Sequence, residues 1–208
     1  MSADNLFTAE DEKRISAAIV AAETLTAGEI VAVVTQSSSS PGYFALLWAA
    51  LVALLVPWPL IYFTWWTMQA VFALQVAVFL ALVTLLTFDP IKRWIVPPAV
   101  ARRWAHQRAV EQFMAQSMNT TASRTGVLIF VSVAERYAEI LADTQINAKV
   151  PAGTWDKLVA DLTGQIGQGR AADGFIAAIA GAGKHLATHF PPDAHNPNEL
   201  PNHLIVLR

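Results

Sequence analysis

Three carboxylates recur every four residues, at Glu135, Glu139 and Asp143. Calcium is a hard cation that gathers roughly six to eight oxygen ligands, and carboxylates with loop carbonyls supply them. If 136–143 is a strand, Glu139 and Asp143 share one face with Tyr137, and Glu135 can join them. Asn147 and Asp173 could add oxygens from nearby loops. A divalent ion held by Glu139 and Asp143 would also suit a phosphatase-like hydrolase. The plain alternative is three solvent-facing charges on a half-exposed element. Glu135, Glu139 and Asp143 are therefore the candidate metal ligands, with calcium as the candidate ion, and no residue is assigned as catalytic.

Two further groups carry weaker chemistry. KHLATH (184–189) puts His185 and His189 four apart on a helix, a spacing that can hold one zinc ion, with His195 and His203 as further ligands. A helical metalloprotease pattern needs Glu directly after the first His, where this chain has Leu186. Arg124, before Thr125 and Gly126, could meet a phosphate or pair with a local carboxylate. There is no Walker A loop, Rossmann fingerprint or nucleophile elbow. The chain also has no cysteine, so thiol nucleophiles, disulfides and Cys-based zinc sites are excluded.

What must position these residues is not an ordinary soluble chain. Of 208 residues, 54% are hydrophobic and only 14% charged, and residues 30–88 contain no Asp, Glu, Lys or Arg. The runs FALLWAALVALLVPWPLIYFTWW (44–66) and MQAVFALQVAVFLALVTLLTF (68–88) are each long enough to cross a bilayer as a helix. Pro57 and Pro59 interrupt the first, so re-entry is the alternative to a full span. The short link between the runs makes a helical hairpin within 41–90 and puts both flanks on one side. Gln69 and Gln75, the main polar side chains of the second run, could hydrogen-bond across the helices or to another copy.

Lys92, Arg93, Arg102, Arg103 and Arg108 follow the hairpin, and the turn carries no basic residue. The positive-inside rule then places the flanks in the cytoplasm. The same residues would lie against anionic headgroups. The opening MSADNLFTAEDEKR is polar and acidic, unlike a signal peptide. A net charge of −2 gives no field that favours nucleic acid.

The flanks read as alternating helix and strand. Residues 8–26 form an amphipathic helix that Thr8 caps with Asp11, and Gly28 ends it. EIVAVVT (29–35) is a strand buried on both faces. A helix over about 99–119 presents Val110, Phe113, Met114, Ser117 and Met118. GVLIFVSV (126–133) is a second strand, and 136–143 is a third strand or a short helix. Helices follow at about 152–167 and 171–189. Residues 191–208 are a mobile tail save for the closing LIVL. Neither 1–40 nor 91–190 has enough strands for a sheet of its own. The economical solution is one α/β domain, a small mixed sheet flanked by helices, interrupted by the transmembrane hairpin.

Three segments in this order, LFTAEDEKRISAAIVAAETLTAGEIVAVV (6–34), RTGVLIFVSVAERYAEILAD (124–143) and GQGRAADGFIAAI (167–179), resemble the TPM-domain family. The hairpin insertion is similar to a bacterial membrane subgroup. The resemblance implies a small mixed sheet flanked by helices, acidic loops that bind calcium in some members, and a phosphatase activity attributed to the family. It also implies accessory roles in membrane complexes. Many members carry a Gly-aromatic-Gly run after the third strand. Here Asp143-Thr144-Gln145-Ile146-Asn147 stands in that place, which argues against inherited catalysis.

The expectation is therefore an integral protein of the bacterial inner membrane that presents a cytoplasmic TPM-like domain. Its partners would be the bilayer and either a membrane protein or a second copy. Its function would be a non-enzymatic accessory or assembly factor, with a phosphatase-like hydrolase or calcium-binding module as the alternative.

Overall fold

The computed structural model describes residues 6–38, 42–88, 96–116, 118, 125–192, 200 and 202–207. Two compact units emerge, Met1–Ser38 with Arg102–Arg208, and Ser39–Ala101.

The first unit opens with helix α1 (Ala9–Glu23). The Thr8 side chain accepts the Asp11 N–H, and the Asp11 carboxylate accepts the Thr8 N–H at 3.0 Å, a reciprocal capping box. These Thr8 hydrogen bonds, and then the Arg14 charge, hold the Asp11 carboxyl below its usual range. The helix stops earlier than its periodicity suggests. Thr24 is the C-cap, and the Thr26 hydroxyl donates to the Phe190 carbonyl at 2.6 Å. Gly28 serves close packing instead, because a Cβ there would stand 3.0 Å from the Leu186 side chain.

Strand β1 (Glu29–Thr35) is buried at every residue, and so is β2 (Gly126–Ser132). They pair in parallel from Glu29↔Gly126 to Thr35↔Ser132. Strand β3 (Tyr137–Ala142) pairs antiparallel with β2, which decides the 136–143 alternative in favour of a strand. Among the described residues the sheet order is β3-β2-β1-β4. The fourth strand, β4 (Ile205–Leu207), lies parallel to β1. It lies within the closing LIVL, the part of the tail excepted from mobility. β1 would otherwise present a bare, apolar edge, and this short strand covers its last three residues, Val33–Thr35.

Even-numbered residues of β1 and odd-numbered residues of β2 point to one face. There Ile30, Ala32, Val34, Val127, Ile129 and Val131 pack with Ile15 and Ile19 of α1. The same core takes Leu162 of Thr154–Gly167 and Phe175, Ile179 and Leu186 of Ala171–His189. Val31, Val33, Leu128 and Phe130 form the opposite face with Ala109 and Met118.

The helix on that second face runs Pro98–Ala115, with proline where its missing N–H costs nothing. Its buried residues are Ala105, Ala109 and Gln112, with Phe113 packed beside them. Val110 and Met114, expected inside, are 36% and 55% exposed, and Ser117 lies outside the described residues. Two of its three buried residues are alanines, so its buried stripe is not its bulkiest one. Numbering in chain order, the hairpin helices are α2 (Gly42–Leu55), α3 (Pro57–Phe63) and α4 (Met68–Leu86). Then come α5 (Pro98–Ala115), α6 (Thr144–Asn147), α7 (Thr154–Gly167) and α8 (Ala171–His189).

In the second unit Tyr43–Phe63 and Met68–Leu86 are each long and apolar enough to cross a membrane. The first is divided at Val56 and Pro57 into α2 and α3, and α2 packs against α4. The buried apolar residues of the pair are Ala45, Ala49, Ala53 and Val71. Leu46, Trp48, Leu51, Leu54, Phe72 and Leu80 are exposed, between 46% and 66%.

Candidate functional site

Tyr137 and Glu139 are two apart on β3 and therefore share the face that α5 covers. Both carboxylate oxygens of Glu139 meet His106 Nδ1 from α5, at 2.9 and 3.0 Å. The Tyr137 O–H donates to the same carboxylate at 2.9 Å. Burial first, and then the Glu139 carboxylate, push the Tyr137 phenol well above its usual range, while the Arg102 charge opposes them. The carboxylate fixes the imidazole by Nδ1 and leaves Nε2 as its outward nitrogen. Arg102 is one helical turn before His106. This patch can orient an imidazole and attract an anion, and it also ties α5 to the edge strand.

Glu135 is not part of that patch. It lies in the β2–β3 turn, where Arg136 adopts a left-handed φ of 50°. Its carboxylate accepts hydrogen bonds from the Ser37 hydroxyl at 2.9 Å, from the Ser38 N–H at 3.1 Å and from the Ser132 hydroxyl. The Ser38 hydroxyl also meets Ser132 Oγ, at 2.9 Å. Glu135 thus clasps the end of β1 to the turn after β2.

Asp143 has a third role. It caps α6, accepting from the Thr144 backbone and from its hydroxyl at 2.8 Å, and it is buried. Asn147 accepts from Trp155 Nε1 at 3.0 Å and donates to the Ala142 carbonyl at 2.8 Å. Asp173 pairs with Arg14 at 2.6 Å. Four-residue spacing in sequence therefore does not bring Glu135, Glu139 and Asp143 together. No three His, Asp or Glu side chains among the described residues are grouped to hold a metal ion.

His185 stacks edge-on to Trp155, with ring centroids 6.4 Å apart, and His189 is in the last turn of α8. His203 is exposed, and His195 and Arg124 lie outside the described residues. Of the basic residues, Arg102 and Arg103 are exposed and Arg108 pairs with Glu111 at 3.0 Å. Lys92 and Arg93 lie outside the described residues.

A pair that sequence spacing does not reveal joins the end of α1 to the start of β1. Glu23 accepts the Ile30 N–H at 2.9 Å and faces the carboxylate of Glu29, which is 5% exposed. Burial above all, with the Glu29 charge adding to it, pushes Glu23 up to about 7, against the pull of the Ile30 N–H. The six-residue separation crosses a helix-to-strand turn, so neither helical nor strand periodicity flags it.

The family described as the TPM domain matches residues 94–185. Among solved structures the chain is similar to the NMR structure of BA42 protein from the psychrophilic bacterium Bizionia argentinensis. The TM-score is 0.60 at 24% identity, over 96% of this chain and 94% of that one. At that identity the likeness is one of fold. No curated protein matches. The matched segment contains β2, β3 and most of α8, and β1 completes their sheet from before the hairpin. The TPM-domain match thus covers residues 94–185 of this chain, and β1, the inner strand that pairs with β2 of that segment, precedes the two apolar helices.

Proposed function

We propose that the chain is an integral membrane protein whose hairpin holds the TPM domain at the cytoplasmic face of the bacterial inner membrane. There it acts as a non-enzymatic accessory or assembly factor of a membrane complex. The observation that carries this reading is the inverted packing of the hairpin. Alanines fill its interior while leucines, tryptophans and phenylalanines face outward. In water that arrangement exposes the surface a fold should bury. In lipid it is the expected one, because small residues let helices approach and large apolar ones meet acyl chains.

Two points support the topology. β1 and β2 flank the hairpin in sequence and pair along seven residues, so both flanks belong on one side of a bilayer. Lys92, Arg93, Arg102, Arg103 and Arg108 lie beyond the hairpin, and the Thr64–Thr67 link has no charge. The test is alkaline extraction of membranes, with a green fluorescent or alkaline phosphatase reporter fused after Arg208. Retention in the pellet with fluorescence and no phosphatase signal is expected. Extraction into the supernatant, or an active phosphatase reporter, overturns the reading.

A second reading, a membrane-held phosphatase-like hydrolase, is favoured by the patch of Arg102, His106 and Glu139 alone. It requires release of phosphate from phosphomonoesters that disappears in His106→Ala. Unchanged release in that variant removes it.

A further inference from the structure

Helix α5 turns Ala105, Ala109 and Gln112 inward, toward the sheet. Arg103, Gln107, Val110 and Met114 form a second stripe, at spacings of four, three and four residues, and all of them are exposed. At 3.6 residues per turn the two stripes lie ~160° apart, so the second points away from the sheet. It mixes a cation with apolar surface, Val110 being 36% and Met114 55% exposed. Arg102 and His106 flank it on the β3 side, beside Tyr137 and Glu139. Among the described residues neither Arg102 nor Arg103 is ion-paired, whereas Arg108, off the stripe, is matched by Glu111. The stripe itself carries no carboxylate.

We propose that this outward stripe of α5 is a docking surface for an anionic bilayer, with Arg102 and Arg103 meeting phosphate headgroups and Val110 and Met114 resting at the acyl boundary. The inference rests on the membrane reading above. Pro98 follows Phe88 by ten residues, so an anchored hairpin keeps the start of α5 within ~35 Å of the bilayer even at full stretch. A tether that short presents the stripe with a high effective concentration of lipid, whereas an acidic soluble partner must come from bulk. Basic residues beside a few apolar ones are also the makeup of a helix that lies in an interface. Each arginine near an anionic leaflet shifts the balance only about fivefold, so the docking is reversible and weakened by salt. One face of α5 then packs on the sheet while the other rests on lipid.

The chain has no cysteine, so a single introduced thiol is unique. The test uses full-length protein with a fluorophore on Gln107→Cys, in phosphatidylcholine vesicles with and without phosphatidylglycerol, each holding a headgroup-depth nitroxide quencher. The reference is the same label on Lys157→Cys, exposed on α7 across the sheet. Stronger quenching at the Gln107 position than at the Lys157 position is expected in the anionic vesicles, and salt should weaken it. Arg102→Gln and Arg103→Gln should each lower the ratio of docked to undocked protein about fivefold. Met114→Gln should lower it as well, and Lys13→Gln, exposed on α1, should leave it unchanged. Equal quenching at the two positions, quenching indifferent to phosphatidylglycerol, or an equal loss in Lys13→Gln overturns the proposal and leaves the stripe to a protein partner. Alkaline extraction of the same vesicles separates the two failures. Protein that stays in the membrane without quenching at the Gln107 position refutes the docking alone, and protein that leaves it refutes the anchor.

Discussion

Nδ1 of His106 on α5 stands 2.9 and 3.0 Å from the two carboxylate oxygens of Glu139 on β3, and the Tyr137 O–H donates to the same carboxylate. His106 is about half exposed, with 51% of its side chain open to solvent, which keeps its contact with Glu139 weak. A double-mutant cycle on detergent-purified protein should give a coupling below ~1 kcal/mol between His106→Ala and Glu139→Ala. Glu139→Ala should cost more than His106→Ala, by about 1–2 kcal/mol, because it also strips the partly buried phenol of its acceptor. Equal losses for the two variants would mean that Tyr137 draws nothing from this carboxylate.

Glu23 makes stability depend on pH in the direction opposite to an ordinary salt-bridged carboxylate. Its ordinary value of 4.5 is raised to about 7 in the fold. Between those values the folded chain keeps a proton that the unfolded chain has released, so stability falls as pH rises. The contribution is complete below about 4.5 and is lost through about 7. The melting temperature should decline from pH 5 to 8 in the wild type and decline less in Glu23→Gln. Parallel pH profiles for the two proteins would refute the assignment.

Gly183 on α8 faces Ala22 on α1 so closely that an added Cβ would stand 2.8 Å from the Ala22 Cβ. Alanine is the better helix former by about 1 kcal/mol. Overpacking a tight helix contact costs about 1–3 kcal/mol. The clash should win, and Gly183→Ala should lower the melting temperature. A stabilised variant would show that the two helices can part without loss.

Glu135, Glu139 and Asp143 each serve different hydrogen-bond partners, so calcium should find no shared cage among them. After chelation, a calcium titration to millimolar levels should leave the melting temperature unchanged. A bound ion at a hundredfold excess over its dissociation constant would add about 2.7 kcal/mol. A saturable rise that vanishes in Asp143→Asn would establish that these carboxylates gather around a cation.

Where local chemistry and long-range packing agree, the sequence is readable. The β-branched runs of β1 and β2 and the Thr8 cap of α1 declare themselves because one side chain type suffices for each. The buried stripe of α5 does not, since Ala105 and Ala109 matter there through smallness and periodicity is read from bulk. β4 is three residues long and exists only because β1 has an edge to fill. The carboxylates mislead for a related reason. Spacing fixes which face of a strand a residue takes, but the left-handed turn at Arg136 sends Glu135 to the end of β1, and the start of α6 claims Asp143. The Glu23–Glu29 pair forms only when helix and strand dock.

The parallel pairing of β1 with β2 also orders events in time. The chain is made from its N-terminus, so β1 emerges with two apolar faces and no neighbour, and its partner follows only after the whole hairpin. Closing so long a loop is the slow part of building such a sheet. The hairpin is therefore available to the membrane before the domain can close. On the proposed anchoring, insertion comes first and draws the separated halves to the same surface. Lengthening the hairpin should tax assembly little, whereas delaying its insertion leaves an unpaired strand open to wrong partners.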